Sequence, residues 1–361
     1  MTMMTATAAP ASQVRADRAV GLWLLICAAM ILAMAVIGAI TRLTESGLSI
    51  MEWAPLAGAL PPLSESEWQR VFALYQQIPE YQEINRGMSL AEFKTIFWWE
   101  YIHRLWGRLI GLVFALPFVW FLLRGRLRPD LIPHLVAMFV FGGLQGALGW
   151  YMVASGFAAR TDVSQYRLVA HLAAATAIYA YILWVAIGLL NPEPVPSRAA
   201  LSQDPRTLGL RRLLAGFAGL VALTMAAGGF VAGLDAGFIY NTFPLMDGRL
   251  VPTDYGDLRP WIANLFENVA AVQFNHRILA ILTAGAAIGL WLHSRRLDLA
   301  PRARTACVLI LAVTAGQFAL GVAALVLVVP VWLGALHQAG AFVLLGLSLF
   351  ALRLLRPPAT H

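Results

Sequence analysis

Long apolar runs alternate with polar breaks along most of the chain. Eight of them reach or approach the roughly 20 residues that a helix needs to cross a bilayer, near 20–40, 103–123, 131–153, 168–190, 211–232, 274–293, 305–328 and 331–354. Most of the intervening breaks are short. The two exceptions, about 42–99 and 233–273, exceed ordinary connectors and carry amphipathic stretches such as ESEWQRVFALYQQIPEYQEI. Such a stretch suits helices lying on the membrane surface, as a cover for something beneath. The pattern predicts an all-α polytopic membrane protein with eight transmembrane helices.

The runs repeat. LTESGLSIMEWAPLAGALPP follows the first and LDAGFIYNTFPLMDGRLVP follows the fifth, in nearly the same register of Leu, Gly and Pro. EYIHRLWGRLIGL opens the second and VQFNHRILAILTA the sixth, matching His103-Arg104 with His276-Arg277. Gln145 of the third matches Gln317 of the seventh, and His171 of the fourth matches His337 of the eighth. The offsets of 173, 172 and 166 residues point to two tandem four-helix bundles related by internal duplication with parallel topology. The chain then divides into a cytoplasmic tail (1–19), an N-terminal half (20–190), a linker (191–210), a C-terminal half (211–356) and a short tail (357–361).

Composition agrees, with 60% hydrophobic and 12% charged residues, which excludes an ordinary soluble enzyme. A net charge of +7 raises nucleic acid as a partner, but the arginines are scattered and form no basic aromatic patch. They report orientation instead. One side of the eight-span arrangement collects fifteen basic residues, including Arg198 and Arg356, against eight on the other. Both termini are therefore expected in the cytoplasm. The first run is longer than a signal-peptide core and lacks a small-residue cleavage site, so it is expected to be retained. Cys27 and Cys307 lie inside apolar runs without metal-ligand spacing and read as small core residues.

Ionisable groups at membrane depth need a reason. The four repeat-matched histidines fall near one membrane face, His103 and His276 at helix starts and His171 and His337 a turn or two inside. His134, His293 and His361 have no matching partners and read as interfacial or tail residues. Zinc and copper sites are usually completed by cysteine, carboxylate or further histidine, whereas each half offers two histidines only. Two opposed imidazoles between apolar helices suit the axial positions of a haem. Arg104, Arg108 and Arg277 are then candidate partners for its propionates, against the alternative of snorkelling to the headgroups. The halves differ beside the first histidine of each: Glu100 precedes His103 by three residues, and Gln273 precedes His276 by three. A carboxylate beside a haem edge can act as a base, stabilise a developing cation or hold a water; the alternative is a solvated carboxylate at a helix start.

GAITRLTESGLSI, EYIHRLWGR, GALGWYMVASG, AHLAAA, NHR and ALHQ together resemble the signatures of the heme A synthases of aerobic bacteria and mitochondria, over nearly the whole chain. The resemblance implies that His276 and His337 ligate a resident haem b, and that His103 and His171 bind the substrate, haem O. It implies oxidation of the C8 methyl of haem O to a formyl group by successive hydroxylations with water-derived oxygen, giving haem A for cytochrome oxidase, with Glu100 as the catalytic glutamate. Haem O synthase, cytochrome oxidase assembly factors and an electron acceptor that the sequence does not name are the implied partners, beside membrane lipid. The implied place is the cell inner membrane, with the haem sites toward the periplasm. Residues 42–99 hold no cysteine, so the chain resembles the branch lacking the cysteine pair. A di-haem cytochrome b and a haem carrier are the rival readings. Small-residue runs such as GGLQGALG suit packing within one subunit or in a homo-oligomer.

Overall fold

The computed structural model describes residues 11–53, 57–157, 160–191 and 205–355. Most of the linker, the far N-terminal tail, the 357–361 tail, Arg198, Arg356 and His361 lie outside the described residues. Among the described residues eleven α-helices account for nearly all the regular structure: α1 (Ala11–Leu43), α2 (Glu65–Tyr75), α3 (Pro79–Glu83), α4 (Leu90–Leu123), α5 (Ile132–Val153), α6 (Gln165–Leu190), α7 (Pro205–Gly233), α8 (Asn264–Glu267), α9 (Val269–Ser294), α10 (Pro301–Val326) and α11 (Val331–Leu354). Among the described residues eight of them, α1, α4, α5, α6, α7, α9, α10 and α11, are long and apolar enough to cross a bilayer. The protein is an all-α, multi-pass membrane protein.

Several helices outrun the apolar runs that predict them. α1 starts nine residues before residue 20, in a polar turn where Gln13 Nε2 donates to Asp17 Oδ1 at 2.8 Å. α7 already runs through 205–210. The largest change concerns α4, which begins at Leu90 rather than near 103. Its start is a capping box: Ser89 Oγ accepts from the Glu92 N–H at 3.3 Å, and Glu92 Oε2 accepts from the Ser89 N–H at 2.8 Å. The helix therefore rises about 20 Å before it reaches His103.

That extension gives α2 something to pack on. The apolar face of α2, expected to lie on the membrane surface, is spent on α4 instead: Trp68 meets Phe97 at 4.8 Å between ring centres, Phe72 meets Phe93 at 4.9 Å, and Tyr75 meets Phe93 at 5.3 Å. Aromatic rings bury large area with modest loss of side-chain freedom. The first long loop is thereby fastened over the head of α4.

Inside the bundle α1, α6, α7 and α11 form the centre, α1 packing on α6 and α11, and α7 on α6 and α11. α4 packs on α1 and α5, just as α9 packs on α7 and α10, so the neighbour pattern is the same in both halves. The central helices carry the buried core; the most apolar window of α1 is 39% buried, that of α5 only 6%. Exposed residues such as Phe139, Phe141 and Leu144 on α5 are what a lipid-facing helix presents. Cys27 and Cys307 are buried and unbridged.

Candidate functional site

Four different helices supply the repeat-matched histidines. His171, His276 and His337 lie six to seven residues inside α6, α9 and α11, while His103 lies thirteen residues inside α4. The C-terminal pair is brought together: the His276 and His337 rings are 6.4 Å apart between centres, with their planes crossing at 88°. Two metal–nitrogen bonds of about 2 Å, plus about 1.1 Å from each nitrogen to its ring centre, require about 6.2 Å. The spacing thus suits one iron between two imidazoles.

Hydrogen bonds orient the rings. His276 Nδ1 lies 3.2 Å from the Thr224 carbonyl oxygen, which can only accept, so the bond puts the proton on Nδ1 and leaves the Nε2 lone pair for a metal. Gln317 Nε2 donates to the main-chain oxygen of His337 at 2.7 Å and lies 3.1 Å from its Nδ1. Gln145 treats His171 in the same way, at 2.9 Å and 3.1 Å. His103 breaks the pattern. Its Nδ1 is buried with no hydrogen-bond partner.

Glu100 is 3% exposed and sits one turn outside His103. Its Oε2 accepts from Ser49 Oγ and from the Ile50 N–H, both at 2.7 Å. Its Oε1 accepts from Arg104 Nε at 3.0 Å and Nη2 at 2.5 Å. Four donors around two oxygens fill the lone-pair directions of an ionised carboxylate. Arg104 also donates to the carbonyls of Ile50 (2.7 Å) and Glu52 (3.1 Å), so it spans the carboxylate and the loop. Arg108, one turn further in, is partly buried.

Gln273 and Arg277 occupy the matching places in the C-terminal half. Arg277 Nη2 donates to Gln273 Oε1 (2.8 Å) and to the Tyr240 carbonyl (2.6 Å), and Nη1 donates to the Thr242 carbonyl (2.8 Å). Gln273 Nε2 donates to the carbonyls of Ala236 and Ile239. Arg277 Nε is buried and unpartnered, a donor left over for an anionic group. Among the described residues no cluster of three or more His, Cys, Asp or Glu is arranged to hold a metal ion.

The family model COX15-CtaA, described as cytochrome oxidase assembly protein, matches residues 21–349. The chain belongs to this family. A heme A synthase of Rhodospirillum centenum is 52% identical over 357 residues, covering 99% of this chain and 94% of its own. Heme A synthases of Nitrosospira multiformis and Granulibacter bethesdensis are 48% and 51% identical, covering 92% and 93% of this chain and 92% and 87% of theirs. The stretch that this COX15-CtaA chain matches holds all eight candidate residues, Glu100, His103, Arg104, Arg108, His171, His276, Arg277 and His337.

Other polar residues at this COX15-CtaA site carry no role in the sequence reading. Ser49, the Ile50 amide and Thr224 gain theirs only when loop and helix meet; Gln145 and Gln317 were marked by the repeat alone. Just outside, on α3, Glu80 is 3% exposed with Oε2 unpartnered. Burial pushes its carboxyl up to about 8, helped by Asp162, Glu45 and Glu100 and opposed by Arg42. Burial likewise raises Asp162, which Arg42 bonds at 2.6 Å while reaching Asp235 of the other half at 2.9 Å. Of the unmatched histidines, His134 places Nδ1 2.6 Å from the Tyr181 hydroxyl, and His293 buries an unpartnered Nε2.

Proposed function

We propose that the protein is a heme A synthase, an oxidoreductase that converts the C8 methyl of haem O to the formyl group of haem A with oxygen derived from water. The observation that carries this reading is the pair of matched two-histidine sites of which only one has a carboxylate at its rim. A shared apparatus suits binding two haems; a lone buried Glu100 suits changing one of them.

The C-terminal half, 211–356, is assigned the resident haem b, which His276 and His337 would hold at its iron and Arg277 at a propionate. The 6.4 Å ring spacing and the Nδ1-bonded tautomer of His276 support that assignment. Bound there, haem b supplies one-electron transfer to an acceptor. The N-terminal half, 20–190, is assigned haem O, with His103 and His171 at its iron and Arg104 and Arg108 toward its propionates. The unpartnered Nδ1 of His103 suits a ligand that must take up and release its haem. A propionate at Arg104 would replace the Ile50 or Glu52 carbonyl, so substrate entry and movement of the 49–52 loop are coupled.

Glu100 then does two things. Held as a carboxylate by Ser49, Ile50 and Arg104, it stabilises positive charge developing at the reacting methyl carbon, and the oxygen that Ser49 and Ile50 release when the 49–52 loop moves orients the water that adds there. Arg104 balances its charge and ties it to the loop that excludes bulk water. We attribute the matched contacts of the two halves to internal duplication. The excess of basic residues on one side supports an arrangement with both termini in the cytoplasm and the haem sites toward the periplasm of the cell inner membrane.

The test is to express the protein with a source of haem O, extract the haems and identify them by chromatography and mass. Haem A accumulates with the wild type, and Glu100→Ala abolishes it while haem b stays bound. Unaltered haem O with the wild type, in the presence of a working electron acceptor, sinks the reading in favour of an electron-transfer cytochrome or a carrier.

A further inference from the structure

Each of the four histidine rings lies with the same edge against a glycine of the preceding transmembrane helix. A Cβ built on Gly38 of α1 stands 3.1 Å from His103 Cε1 and 3.5 Å from its Nδ1; on Gly228 of α7 the distances to His276 are again 3.1 and 3.5 Å. On Gly149 of α5 they are 2.9 and 3.5 Å to His171, and on Gly321 of α10 they are 2.7 and 3.3 Å to His337. This is not a general property of the glycines in these helices. Gly142, Gly143 and Gly146 of α5 and Gly316 of α10 have nothing within 4 Å of such a Cβ.

We propose that Gly38, Gly149, Gly228 and Gly321 are positioning residues, the seats that set how far each imidazole reaches toward its partner across the haem space. The proposal rests on the haem reading above. An ordinary carbon–carbon contact needs about 3.5 Å, so a methyl group displaces the ring by roughly 0.4 Å at Gly38 and Gly228, 0.6 Å at Gly149 and 0.8 Å at Gly321. Binding constellations tolerate about 0.5 Å. Gly149 and Gly321 exceed that margin, and Gly38 and Gly228 fall within it. Gly149 and Gly321 also lie on the helices that carry Gln145 and Gln317, so the same helix braces the ring from its amide and limits it from its backbone.

The experiment uses the full-length chain purified in detergent, as wild type, the seat variants Gly149→Ala, Gly228→Ala and Gly321→Ala, and the controls Gly142→Ala and Gly316→Ala. Haem content, the absorption spectrum of the resident haem and the affinity for added haem O are measured. Gly321→Ala loses at least half of the resident haem; Gly228→Ala keeps it with a shifted spectrum and midpoint potential. Gly149→Ala keeps the resident haem and binds haem O at least ten-fold more weakly, and both controls match the wild type. Seat variants indistinguishable from the controls overturn the proposal. If Gly321→Ala does not accumulate as a folded protein, Gly228→Ala decides, and an unchanged spectrum and potential count against the seats. A wild type that binds no haem sinks the haem reading alone. The seats are then read from the imidazole resonances of histidine-labelled protein, which shift in Gly149→Ala and Gly321→Ala and not in the controls; unshifted resonances refute them.

Discussion

The two halves hold their loops with the same arginine but offer opposite chemistry beside it. In the N-terminal half the loop turns donors inward, the Ser49 hydroxyl and the Ile50 amide, and they meet the Glu100 carboxylate. In the C-terminal half the loop turns the Ala236 and Ile239 carbonyls inward, and both accept from the side-chain amide nitrogen of Gln273. A carboxylate only accepts, whereas an amide both donates and accepts. The choice between Glu and Gln is therefore written twice, once on the helix and once in the backbone of the loop above it. The difference teaches that one loop is built to meet a side-chain carboxylate at this position and the other to meet a neutral amide.

The largest effect that would break the comparison lies in the histidines. His276→Ala or His337→Ala is expected to abolish the resident haem spectrum, whereas His103→Ala or His171→Ala leaves it in place; equal loss from both pairs, read by absorption, would remove the division of labour. Next comes Glu100→Gln, which makes the N-terminal half resemble the other. We expect turnover to fall about 100- to 1000-fold, the range seen when a preorganised electrostatic group is lost, with resident haem unchanged. Haem A formation in membranes measures it. The reverse change, Gln273→Glu, sets a carboxylate against two carbonyl oxygens, and leaving buried groups mismatched is expected to cost about 2–5 kcal/mol. A lower thermal unfolding temperature of the purified protein checks this; an unchanged one would refute the loop argument.

Smaller effects sharpen the picture. Ser49→Ala removes one of four donors to Glu100, and a hydrogen bond to a charged group contributes about 1.5–3 kcal/mol, so turnover should fall at least about ten-fold. Glu80 provides the pH test. Its carboxyl is raised to about 8 in the folded protein from an ordinary 4.5, so the fold binds a proton that the unfolded chain releases. Stability from this group is complete below 4.5 and is lost as pH rises through 8, by at most about 1.4 kcal/mol per pH unit. Asp162, Glu45, Glu100 and Arg42 surround it electrostatically. Hydrogen exchange in α2 and α3 should quicken across that window beyond its intrinsic rise, and Glu80→Gln should remove the excess.

The eight spans were legible in the sequence because a bilayer imposes a length and an apolar composition on each helix separately. Helix ends were less so. Residues 90–102 are too polar to register as a span, and only Ser89 and Glu92 marked the start of α4, a capping signal readable in the sequence yet set apart from the apolar run. The amphipathic face of α2 was also visible, but periodicity does not say whether its partner is lipid or protein. The repeat exposed Gln145 and Gln317 as matched positions without revealing that each braces a histidine.

By itself the sequence determined the membrane class, the number of spans, the two matched histidine pairs and the asymmetry of Glu100 against Gln273, since all of these are local or periodic properties of the chain. Only the tertiary structure decided what surrounds them. Ser49 reaches Glu100 across 51 residues, Thr224 reaches His276 across 52, and Arg42 reaches Asp235 across 193. Such contacts arise from how helices and loops pack, and no local pattern encodes which donor or acceptor a loop will turn toward a buried side chain.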